Sequence, residues 1–174
     1  MSLRGRAGLL SMLVGSLSLV ACGGGDGGGP DRAEQGVSLA EYVKRADRLC
    51  LAGRNRVRAE LAPLQEAAAE DGRFTRAEAM QLNSEGAKLA RPLLEEQEAI
   101  PKPDDKRSDV EDYLKANRDT IEALDRAVES FERGDVDEAN AELQRNRQLA
   151  FEITRAAGAV GFKQCGSEFG KNAP

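Results

Sequence analysis

Histidine is absent from this 174-residue chain, and so is tryptophan. Without an imidazole no side chain titrates near neutrality at its ordinary pKa, and no histidine-ligated zinc, haem or di-iron centre can be assembled. A catalytic thiol would also lack its usual activating base. Two tyrosines and five phenylalanines are the entire aromatic supply, so the core has to come from Leu, Val, Ile and Ala. Period-two runs of β-branched residues are missing, which excludes a sheet and leaves an all-α chain. With no strand to launch it, a phosphate-binding glycine loop cannot form, and the glycines at 23–29 are read as a tether instead. No serine sits in a nucleophile-elbow pattern. These absences predict no catalytic residue, no metal ligand and no cofactor, hence a protein that is not an enzyme.

What is present begins at the N-terminus. Arg4 and Arg6 precede an apolar run from Gly8 to Val20, which ends in Leu19-Val20-Ala21-Cys22. A basic start, a short apolar stretch and small residues at a cut site describe a secretory signal, too short for a bilayer core of about 30 Å. The Leu-Val-Ala-Cys ending resembles the lipobox of bacterial lipoproteins. That resemblance implies cleavage after Ala21, removal of residues 1–21 as a signal peptide, and thioether attachment of a diacylglyceryl group (palmitate-type acyl chains) to Cys22. The protein is then expected at the cell membrane, lipid-anchored on its extracytoplasmic face, with the membrane as its first partner. Each buried methylene of such an anchor contributes roughly 0.8 kcal/mol.

Removing residues 1–21 takes away two arginines and no acid, leaving 23 basic against 30 acidic side chains, a formal charge of −7. Nucleic acid is thereby excluded as a partner, because phosphate recognition needs concentrated positive surface. Beyond Cys22 the remaining cysteines are Cys50 and Cys165, an even pair that in an exported protein is expected to form a disulfide. Closing so long a loop stabilises a fold by roughly 4 to 5 kcal/mol. Two buried free thiols are the alternative.

Residues 22–37 form the lipidated cysteine and a flexible Gly-rich linker, whose fifteen residues after Cys22 span roughly 20 Å as a random coil. Residues 38–170 read as a helical domain. Ser38 to Glu41 has capping-box spacing, and Leu39, Tyr42, Val43, Ala46, Leu49, Cys50, Val57, Leu61 and Leu64 form an apolar stripe with a gap near Gly53. Pro63 is expected to kink or end this helix, and Asp71-Gly72 to stop it. Thr75 to Glu78 repeats the capping box before a weaker stripe of Met80, Ala87, Ala90 and Leu94, interrupted by Pro92. Ile100-Pro101-Lys102-Pro103 forces an extended turn. The third helix, starting at Asp104 or Ser108, carries Val110, Tyr113, Leu114, Asn117, Ile121, Leu124, Val128 and Phe131, and Gly134 ends it. Asp135 caps a fourth, with Val136, Ala139, Leu143, Ala150, Ile153 and Ala157 inward and a stop at Gly158 or Gly161. The expectation is an antiparallel four-helix up-down bundle with one disulfide.

Three features bear on function. Lys44, Arg45, Arg48, Arg54, Arg56 and Arg58 are expected on the outward arc of the first helix; Arg54, Arg56 and Arg58 would suit an anionic envelope polymer or lipid headgroups, or else form a solvated face. Acidic clusters at Glu95, Glu96 and Glu98, and from Glu129 to Glu142, do not match the twelve-residue calcium loop and read as helix-start and solvated carboxylates. Asn83, Gln97, Asn117 and Asn146 stand as polar residues near or within apolar stripes; they would line a small-molecule pocket, or fix register around a trapped water. The C-terminal Gly161-Phe162-x-x-Cys165-Gly166, together with Cys50 and the central Pro-x-Pro, resembles small helical lipoproteins and secreted proteins of high-GC actinobacteria, which implies fold and location but no activity. The expected role is a non-catalytic interaction module of the cell envelope, binding an envelope protein or anionic polymer, with a small-molecule binding module as the alternative.

Overall fold

The computed structural model describes residues 37–69 and 74–167. The leader, the lipid-acceptor Cys22, most of the linker and the Asp71-Gly72 stop lie outside the described residues. Gln35–Pro174 is one compact unit. Its described part holds four α-helices: α1 Leu39–Ala69, α2 Arg76–Glu98, α3 Arg107–Glu132 and α4 Val136–Val160.

Local chemistry sets most of the helix ends. Ser38 Oγ accepts the Glu41 N–H at 3.3 Å. Thr75 and Glu78 form a complete capping box, with each side chain bonded to the other's backbone amide. Asp135 Oδ1 accepts the Glu138 N–H at 3.0 Å. Gly134 and Gly161 take positive φ of 81° and 93°, turning the α3–α4 hairpin and closing α4, with the Gly161 and Phe162 amides both donating to the Ala157 carbonyl.

Neither proline ends its helix. α1 runs through Pro63 and α2 through Pro92. Each proline removes one ladder bond, to the carbonyls of Ala59 and Lys88, and both those residues are exposed, where water can take the freed carbonyl. The third helix uses neither expected start: a short 3₁₀ turn, Asp104–Lys106, leads into α3 at Arg107 with no side-chain cap.

Consecutive helices pair along the chain, α1 with α2, α2 with α3, and α3 most extensively with α4. Small residues permit that last close approach: Ala123, Ala127 and Ser130 on α3 and Ala139 on α4 are almost fully buried. The end of the bundle where α1 begins and α4 ends is solid. Tyr42, Ala46, Ile100, Val110, Tyr113, Ile153 and Val160 form its core, and Phe162 lies between two tyrosines, its ring centre 6.0 Å from that of Tyr42 and 4.9 Å from that of Tyr113. Burial pushes the Tyr42 hydroxyl up to about 12, and it finds no hydrogen-bond partner among the described residues.

The segment after α4 returns across α1. Cys50 and Cys165 form the expected disulfide, with Cα atoms 5.2 Å apart. One turn earlier, the Asp47 carboxylate accepts the backbone amides of Lys163, Gln164 and Cys165 at 2.8–3.2 Å. Arg54, one turn later, donates to Gln164 Oε1 at 2.7 Å and Ser167 Oγ at 2.6 Å. Among the described residues no helix is long and apolar enough to cross a membrane.

Candidate functional site

Below the solid end, the helices line a half-open cavity of about 550 Å³. It exists because the packing changes along α1. The first three turns of α1 put Tyr42 and Ala46 into the core, whereas beyond Cys50 the inward positions are Gly53, Val57 and Leu61, which do not reach across to α3 and α4. The gap that Gly53 leaves in the apolar stripe is filled from α2: a Cβ at Gly53 would lie 2.4 Å from Leu93 Cδ1. At Gly86 a Cβ would meet only Leu61 Cδ1, at 4.0 Å, so this glycine opens directly onto the cavity.

The walls are mostly aliphatic, from Val57 and Leu61 on α1, Leu93 and Leu94 on α2, and Ile121 and Leu124 on α3. Into this surface project all four polar residues of the stripes: Asn83, Gln97, Asn117 and Asn146. Two are oriented by the backbone. Asn117 Nδ2 donates to the Tyr113 carbonyl at 2.8 Å, and Asn146 Nδ2 donates to the Thr120 carbonyl at 3.2 Å. A carbonyl accepts only from the amide nitrogen, so both side-chain orientations are fixed, and each oxygen is left as an acceptor. Asn146 is the single α4 residue in the lining.

The disulfide forms one end of the cavity. Cys50 Sγ receives the Gln97 amide at 3.4 Å and lies 3.6 Å from the Tyr113 hydroxyl, which must be the donor because a disulfide sulfur carries no proton. Tyr113 and Thr120 had no distinguishing signal in the sequence, since both sit at ordinary positions of a strongly amphipathic helix.

Of the three arginines expected on an outward face, Arg56 and Arg58 are exposed and Arg54 is half-buried. Arg54 and Arg58, one turn apart, line the cavity beside Val57 and Leu61, while Arg56 is exposed and paired with Glu60 at 3.1 Å. Arg54 is also committed to the C-terminal segment. The placement of Arg54 and Arg58 has a simple cause: the inward stripe shifts around the helix after Gly53, carrying residues 54 and 58 to its edge. Arg45 pairs with Glu41 at 2.7 Å, and Arg48 Nε bonds the Lys44 carbonyl.

Three carboxylates of the acidic clusters pair with arginines. Glu98 pairs with Arg118, Glu138 with Arg133 at 3.0 Å, and Glu142 with Arg126 at 3.2 Å. That attraction holds the Arg126 guanidinium above its ordinary pKa, the bond to Glu142 being the largest cause. Among the described residues no group of carboxylates and thiols is placed to hold a metal ion.

Comparison with protein-family models, with curated proteins and with solved structures finds no match.

Proposed function

We propose that this chain is a lipid-anchored, extracytoplasmic binding module that holds a small molecule between its helices and carries out no reaction on it. The observation that carries the reading is the convergence of Asn83, Gln97, Asn117 and Asn146 on one aliphatic cavity of about 550 Å³. Ligand sites have this composition: apolar walls for affinity, a few oriented polar groups for specificity, and a volume of roughly 300–1,000 Å³. Side chains that only fixed helix register would be buried against each other without leaving space. The anchor at Cys22 and the Gly-rich linker would keep the module near the membrane surface. An interaction role through Arg54, Arg56 and Arg58 is less well supported, because the three point to different places.

Native mass spectrometry of residues 23–174, exported and purified without detergent, tests the proposal. That segment contains the whole compact unit Gln35–Pro174 with its own core and disulfide. A one-to-one extra mass that leaves on denaturation, and is missing from Gly86→Leu, is the expected result. A bare chain that also fails to take up the neutral dye Nile red would overturn it.

A further inference from the structure

We propose that the cavity ligand is an elongated amphiphile with one hydrocarbon chain and an anionic head, the head held by Arg58. The inference rests on the binding-module reading and specifies what that module takes.

Shape is the first argument. The lining positions on α1 run from Cys50 to Gln65, and those on α2 from Asn83 to Gln97. At 1.5 Å per residue both stretches rise roughly 21–22 Å. A slot of that length suits one extended chain lying along it. Its middle is aliphatic on three helices, through Val57, Leu61, Leu93, Ile121 and Leu124. The fixed oxygens of Asn117 and Asn146 add acceptors for a hydroxyl or amide N–H on the ligand.

Charge is the second. The chain beyond residue 21 carries more acids than bases, yet among the described residues no Asp or Glu lines the slot. Its charged residues are Arg54 and Arg58. Arg54 is engaged by the C-terminal segment. Arg58 is exposed at the rim, and no carboxylate of the described residues pairs with it, although neighbouring arginines such as Arg45 and Arg56 are each paired. A planar guanidinium beside an aliphatic slot matches a carboxylate or a phosphate monoester. A cationic ligand would find repulsion there and no counter-ion.

Displacement of Nile red from residues 23–174 by dodecanoate, dodecyl phosphate and dodecanol, each below its micellar concentration, tests this. Both anions are expected to displace the dye at least tenfold more effectively than the alcohol. In Arg58→Gln that advantage should fall to within about twofold, with the dodecanol value and the melting temperature unchanged. The better of the two anions identifies the head as carboxylate or phosphate. Equal displacement by alcohol and anions would overturn the anionic head while leaving the cavity reading intact. Nile red fluorescence that is no greater with the wild-type chain than with Gly86→Leu would overturn both.

Discussion

Asp47 and Cys165 meet across the whole length of the domain: Asp47 Oδ1 accepts the Cys165 amide at 3.1 Å, one helical turn from the sulfur that Cys165 is bonded to. The same carboxylate takes the Lys163 and Gln164 amides. The C-terminal segment is therefore held twice at one place, covalently at Cys50 and by a charge-assisted fan of amides at Asp47. Because Cys50, Gln97 and Tyr113 form the end of the cavity, this clasp also fixes the shape of the site.

Asp47→Ala should cost about 2–3 kcal/mol, since three amides lose a charged acceptor. It should also speed reduction of the Cys50–Cys165 bond by dithiothreitol tenfold or more, with Asp47→Asn in between because one acceptor oxygen survives. Thiol release followed by a colorimetric reagent reads the rate. Reduction of Asp47→Ala at the wild-type rate would show that the amides do not hold the segment.

Cys50→Ser and Cys165→Ser should lower the melting temperature equally, each losing about 5 kcal/mol from the entropy of a loop of 115 residues. The double variant should lose little more, because the second substitution removes a partner already lost. Thermal unfolding of the three variants, monitored by circular dichroism, checks this; additive losses would mean that the thiols stabilise the fold independently.

Tyr42→Phe removes a buried hydroxyl that bonds to nothing among the described residues, so stability at pH 7 should hold or rise by up to about 1 kcal/mol. Burial raises the Tyr42 pKa from 10 to about 12. A folded pKa above the unfolded one gives stability that is complete below pH 10 and is lost as pH rises towards 12. Denaturant midpoints from pH 9 to 12 should fall less steeply in Tyr42→Phe than in the wild type. Parallel curves would show that the alkaline loss does not come from Tyr42.

Much of this architecture is legible in residue spacing, for definite reasons. Helical periodicity fixes azimuth, so Asn117 between Tyr113 and Ile121 had to face inward, and its convergence with Asn83, Gln97 and Asn146 followed from the bundle topology. The Ser38 cap, the capping box at Thr75 and the pairing of two cysteines are local or combinatorial facts. What the pattern did not carry depends on neighbours. Pro63 and Pro92 stay helical where the residues whose carbonyls they release, Ala59 and Lys88, are exposed. Arg54 and Arg58 turn to the cavity because Leu93 fills the space at Gly53 and the stripe shifts beyond it. Ala123 and Ala127 are core because α4 comes close enough to cover a methyl group, which no one-helix pattern reveals.

Cys22→Ala should leave an exported precursor uncleaved and unacylated, because the thioether at that sulfur is the step the lipobox resemblance implies before cleavage. The measurement is the intact mass and the partition of the protein between membrane and soluble fractions. An acylated, cleaved product would remove the anchor from the proposed function and leave the cavity untouched.

Gly86 separates stability from binding at the same residue. A Cβ there meets only Leu61 Cδ1, at 4.0 Å, so Gly86→Ala is free of strain. Replacing a mid-helix glycine by alanine should raise stability by about 0.5–1 kcal/mol. A longer side chain continues along the same vector into the slot. Gly86→Leu should therefore keep most of the helix gain, bury its own methyls against Leu61 and Leu124, and abolish ligand uptake by occupying the volume. Melting temperature and Nile red binding, measured on the two variants side by side, should rise together with no loss of dye for alanine and diverge for leucine. If leucine both melts higher and binds the dye as the wild type does, the dye sits outside the slot, and the cavity is not where this protein meets its ligand.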